Sequence, residues 1–156
     1  MKTNHKRHWM SRILKIATSI AIVSSLSSCV VHENARPVSP SFSESGVTKL
    51  RSFYVRKHAD DDYNLAEEIA AELQRMGYRA TSGSTPSAPG RVDAVVSYMD
   101  RWVWDMTMYM ISLDVQLREP GSDMILATSK TVRSSLIRKS QQEMVRETLT
   151  KLLKNP

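Results

Sequence analysis

The chain has 156 residues, 41% of them hydrophobic, with one cysteine and a formal net charge of +6. That is enough for one compact domain plus a tether, and a lone cysteine excludes an intramolecular disulfide, so stability must come from packing. The charge does not indicate nucleic-acid binding: five of the 22 basic residues and none of the 16 acidic ones lie in residues 1–28, which leaves 17 basic against 16 acidic residues afterwards.

Taken in order, Lys2, Lys6, Arg7, Arg12 and Lys15 precede an uncharged run from Ile16 to Leu26 and then small residues. This is the three-part layout of a secretory signal, and its apolar core of about eleven residues is roughly half of what a membrane span needs. Leu26-Ser27-Ser28-Cys29 then resembles the lipobox of bacterial lipoproteins, a Leu, two small residues and an obligatory Cys. The resemblance implies cleavage before Cys29, a diacylglycerol on its thiol and acylation of the new amino terminus. The thiolate supplies the nucleophile such a reaction needs. Position 30 is Val, not the Asp that usually marks inner-membrane retention in Gram-negative lipoproteins, so the resemblance implies the periplasmic face of the outer membrane. Residues 1–28 read as the signal. Residues 29–48, rich in Ser and Pro, read as a lipidated flexible tether that lets a domain stand off the bilayer by some tens of ångströms.

A single domain is expected over 49–156. Alternation of Phe53 and Val55 with Ser52, Tyr54 and Arg56 predicts a strand over 50–58. Asp60-Asp61-Asp62 favours a helix start, Asn64 with Glu67 has capping-box spacing, and Leu65, Ile69, Leu73 and Met76 make one apolar stripe before Gly77. Residues 81–91 read as a loop by their Ser, Pro and Gly content. Residues 92–104 predict a strand apolar on both faces. Residues 108–117 predict its hairpin partner, with Tyr109, Ile111, Leu113, Val115 and Leu117 on one face. After a turn at Glu119-Pro120-Gly121-Ser122 comes a third strand over 124–134. A closing helix then opens on the Ser140–Glu143 capping box. The expected fold is α+β, a two-layer sandwich in the order β-α-β-β-β-α, with one antiparallel-rich sheet and both helices on one face. By element order alone this resembles small envelope domains such as the amino-terminal domain of the Tol-system translocation protein.

The candidate site is the stretch 97–110, where Trp102, Trp104 and four methionines gather. Tyr98, Trp102, Trp104, Met108 and Met110 are residue types enriched at binding sites. On a helix-free sheet face they would form a recognition patch; alternatively they pack under the helices or cover the hairpin end. Asp100, Arg101 and Asp105 lack a neighbouring nucleophile and read as ion-pairing and turn chemistry. Asp60 to Asp62 lack the alternating ligands of a calcium loop and read as a helix cap. Outside the signal the only histidines are His32 and His58, which gives no metal set and no cofactor is expected. Arg133, Arg138 and Lys139 read as a solvated basic run that could touch anionic headgroups or an acidic partner. The chain is therefore expected to be no enzyme but an envelope accessory that binds a protein partner, with a carrier of a lipid or glycan as the alternative.

Overall fold

The computed structural model describes residues 34–37 and 44–154. The signal, the lipobox with Cys29, and His32 lie outside the described residues. Among those described, the order is β1 (Asn34–Pro37), α1 (Glu44–Val47), β2 (Ser52–Arg56), α2 (Leu65–Arg75), β3 (Arg79–Gly83), β4 (Ala94–Asp105), β5 (Thr107–Arg118), β6 (Ile125–Val132) and α3 (Gln141–Lys154). One mixed sheet runs β1-β6-β5-β4-β2-β3. β2 lies parallel to β3 and β4, while the remaining pairs are antiparallel. No helix among the described residues is long and apolar enough to cross a membrane.

The two-layer α+β arrangement follows from the apolar periods. Phe53, Val55, Ala94, Val96, Leu113 and Val115 alternate onto one sheet face, where Leu65, Ile69 and Leu73 of α2 and Met144, Leu149 and Leu152 of α3 cover them in a single buried cluster. Removing that surface from water, at about 25 cal/mol per Å², is the main force holding the layers together.

Three elements differ from the sequence expectation. Residues 34–37, inside the predicted tether, pair with β6 from Asn34↔Lys130 to Pro37↔Ala127. Val47 of α1 is buried in the core. An edge strand has unpaired backbone groups, and β1 satisfies those of β6 whatever its own side-chain pattern; Pro37 is tolerated because β1 is itself an edge. Residues 79–83, partly inside the predicted loop, form β3 beside β2. The unit β2-α2-β3 is a parallel crossover, and the chain leaving Gly77 (φ 92°) is returned to the open edge of β2.

Helix α2 starts by a different device from the one its spacing suggests. Asn64 adopts φ 53°, and its side chain makes no cap hydrogen bond. The amides of Leu65 and Ala66 donate instead to the Asp61 carboxylate at 2.7 and 2.9 Å, and Glu67 pairs with Lys57. The Ser140–Glu143 box of α3 does form, Ser140 N donating to Glu143 at 2.8 Å and Glu143 N to Ser140 Oγ at 3.2 Å.

Candidate functional surfaces on the long hairpin

Strands β4 and β5 each have 12 residues and are joined through Met106 alone, which takes φ 60°. Their neighbours are shorter. β2 pairs with β4 only over Phe53–Val55, and β6 reaches β5 no further than Ser112↔Val132. Residues 102–105 and their partners therefore project past the rest of the sheet, by about 13 Å at ~3.3 Å per residue.

A bulge governs which residues face where. The register slips between Arg101 and Trp102, so that Arg101 opposes Ser112 while Trp102 opposes Met110, and Ile111 is left without a partner on β4. The slip inverts the alternation predicted for β5. Leu113, Val115 and Leu117 stay in the core, but below the bulge Met110 replaces Ile111 there. Tyr109 turns to the other face, where the Arg138 guanidinium sits 4.1 Å above its ring.

The five candidate residues fall into three environments. Tyr98 and Met110 are buried in the core. The Tyr98 hydroxyl donates to Asp61 at 2.9 Å and accepts from His58 N at 3.2 Å. Burial, aided by the Asp61 carboxylate and against the His58 amide, pushes its pKa well above the usual tyrosine value. Trp102 is half-buried against the core, stacked on Tyr63 at 4.0 Å between ring centres, with Nε1 donating to Asp100 at 2.6 Å. Trp104 and Met108, paired across the hairpin, are exposed at its end. Trp102, Trp104, Met108 and Met110 thus share the face that carries the helices, and the last exposed members lie beyond the helix ends rather than on the helix-free face.

The hairpin end carries exposed apolar side chains on both sides, around the Asp105–Arg138 ion pair. Trp104 is 71% and Met106 87% exposed, with Met108 beside them. On the opposite side the 133–140 loop brings Leu136 and Ile137, both exposed, because Arg138 binds Asp105 at 2.6 Å while covering Tyr109. The basic run is thus paired: Arg138 with Asp105, and Arg133 and Lys139 with Glu147.

The helix-free face is a different surface. At one end Arg118 binds Ser97, Gln116 and Asp123, and Asp123 also holds Arg56 at 2.7 Å. The Arg56 guanidinium first, then Arg118, keeps the Asp123 carboxyl below its usual range against a small burial effect. Nearer the hairpin end lies a cleft of about 390 Å³ lined by Met99, Arg101, Ile111, Ser112, Asp114 and Lys130. Met99 stands 74% exposed there, and neither Arg101 nor Lys130 has an ion-pair partner among the described residues. This surface carries no aromatic signature, and the placing of Met99, Arg101, Asp114 and Lys130 in three strands was its only trace in the sequence. Among the described residues no three His, Cys, Asp or Glu side chains converge as a metal set.

No family model and no curated protein matches the chain. Among solved structures it is similar to a variant of the PelC dodecamer from Paraburkholderia phytofirmans, with a TM-score of 0.52 at 13% identity over 78% of this chain and 98% of that one. It is more distantly similar to a PDZ domain protein from Parabacteroides distasonis, TM-score 0.49 and 10% identity over 90% of this chain and 40% of that one. A minor lipoprotein from Acinetobacter baumannii gives a TM-score of 0.36 and 12% identity over 67% of this chain and 91% of that one. At these identities the likeness to the PelC subunit is one of fold, a small α+β domain with helices on one side of its sheet.

Proposed function

We propose that this chain is a non-enzymatic lipoprotein of the outer membrane, anchored at its periplasmic face through Cys29, whose domain serves as an assembly or regulatory accessory by binding another envelope protein. The observation that carries the reading is the helix-free face around Met99. There an exposed apolar side chain is ringed by Arg101, Asp114 and Lys130 on three adjacent strands. An apolar anchor inside a charged rim is the arrangement that binding energy favours at protein interfaces, and the rim charges select and steer the partner. Tethering to a membrane adds effective concentration to a weak contact. The similar PelC subunit assembles as a dodecamer, so a second copy is one partner to be considered.

A photocrosslinking side chain at Met99 tests this in cells. The expected result is an adduct with one envelope protein that disappears in the Arg101→Glu, Lys130→Glu double variant while its melting temperature is kept. No protein adduct at Met99 overturns the binding reading. Separately, Cys29→Ser is expected to release the chain from the outer-membrane fraction, and unchanged fractionation overturns the anchor.

The carrier alternative is favoured by one observation, the 390 Å³ of the cleft, which is within the range of small-ligand sites. A mass increment on the native protein that survives buffer exchange would favour it over protein binding.

A further inference from the structure

We infer that the projecting hairpin end is a membrane-contact site, with Trp104, Met106 and Met108 and the loop residues Leu136 and Ile137 entering the interface of the same bilayer that holds the lipid. The inference rests on the proposed acylation of Cys29, but its main support is the topology of β1. β1 runs antiparallel to β6, and Asn34 stands in the row Asn34–Lys130–Asp114–Met99 across four strands. Going backward from Asn34, β1 points along β4 in the direction of Asp105, so the chain leading to Cys29 leaves the sheet at the hairpin end.

The lengths agree. Residues 30–33 are all that separates Cys29 from β1, and five residue steps span at most about 17 Å. From the Met99 row the hairpin extends six residues to Asp105, about 20 Å at ~3.3 Å per residue. An acylated Cys29 lies at headgroup depth, so a tether this short keeps the Asn34 end of the sheet, where the hairpin projects, within about 17 Å of the surface. The domain stands on the membrane, and not some tens of ångströms away as a free tether over 29–48 would allow.

The residues at that end suit a lipid surface better than a protein one. Exposed apolar side chains occupy both faces of the hairpin end and its apex, a convex shape that a fluid medium surrounds and a rigid partner surface touches on one side only. Met106 holds the left-handed φ of 60° that favours Gly or Asn, yet it is a large apolar residue, 87% exposed. Tryptophan prefers the headgroup boundary, with its ring in the apolar layer and its N–H toward water. The flanking cations Arg138 and Lys139 are already paired with Asp105 and Glu147, so contact depends on apolar insertion rather than on anionic lipid.

The test uses the acylated mature protein reconstituted in vesicles of phosphatidylethanolamine and phosphatidylglycerol with acyl chains brominated near the headgroup. Beyond the signal the tryptophans are Trp102 and Trp104, and a Trp104→Phe protein reports Trp102 alone. The expected result is quenching of the native emission by brominated lipid, its loss in Trp104→Phe, and its loss in Met106→Asp with the melting temperature kept. In cells, a photocrosslinker at Met106 is expected to capture lipid. Unquenched Trp104 in a protein whose mass shows the acyl chains overturns the inference and leaves the anchor standing. A protein adduct at Met106 in place of lipid also overturns it, and a mature mass without acyl groups overturns inference and anchor together.

Discussion

At the scale of single residues, backbone closeness sets the tightest constraint at Gly83. A Cβ there would lie 2.8 Å from the Tyr54 hydroxyl. That hydroxyl is not free to retreat: it donates to Thr85 O at 3.0 Å and shares a 2.6 Å bond with Thr85 Oγ1, and the ring is buried. Gly83→Ala should therefore destabilise by about 1–2 kcal/mol in denaturant titration. On a Tyr54→Phe background, where the clashing oxygen is gone, the same change should be close to neutral, a coupling that a double-mutant cycle reads directly. Nothing in Arg79-Ala-Thr-Ser-Gly83 announces this contact. The helix cap shows the opposite case in part: Asp60-Asp61-Asp62 marked the start of α2, but which carboxylate caps it depended on Asn64 taking a left-handed turn that brings Asp61 under the Leu65 and Ala66 amides.

At the scale of elements, the joint between α2 and α3 turns on Glu72, whose side chain is 3% exposed and bound by Arg146 of α3 at 2.9 Å and by Arg75 of its own helix. Both arginines keep much of their guanidinium in water. Removing the acid leaves two solvated cations, whereas removing both cations leaves a buried carboxylate with nothing to balance it. Glu72→Gln is accordingly expected to cost about 1 kcal/mol, and the Arg75→Ala, Arg146→Ala pair about 3 kcal/mol, by chemical unfolding. An equal loss in the two proteins would show that the carboxylate is not the buried member. The helices themselves were legible, since their stripes at i, i+3 and i+4 need no knowledge of the rest of the chain. Strands β1 and β3 were not. They join the sheet through backbone groups at an open edge, and β3 buries only Ala80 fully.

At the scale of the whole molecule, four carboxylates held below their usual pKa make stability fall in acid. Burial opposes the charge of Asp61, but the amides of Ala66 and Leu65, the Tyr98 hydroxyl and Lys57 outweigh it. The Arg51 amide and the Ser52 hydroxyl lower Asp93, Arg56 lowers Asp123, and Ser140 lowers Glu143. A depressed carboxylate contributes stability above its unfolded value and loses it as pH falls through its folded value. The melting temperature is therefore expected to be level from pH 7 to about 5 and to drop below about pH 4. Asp61→Asn should melt lower at pH 7 and show a shallower acid decline, since its contribution is already gone; an acid decline as steep as that of the native protein would remove Asp61 from the account.

The sequence by itself determined what depends on local order: the apolar periods that make two helices and four strands, and the turn chemistry between them. Those signals are carried by neighbouring residues and survive without the fold. Tertiary structure alone decided where the Trp and Met residues point. One unpaired residue, Ile111, shifts the alternation of β5 and moves Met110 into the core, and the shortness of β2 and β6 leaves the hairpin end projecting past the neighbouring strands. It also decided where the sheet begins, because a four-residue strand at Asn34 takes up chain that composition would assign to a tether. Both outcomes depend on backbone pairing between distant segments, which the side-chain pattern of either segment does not encode.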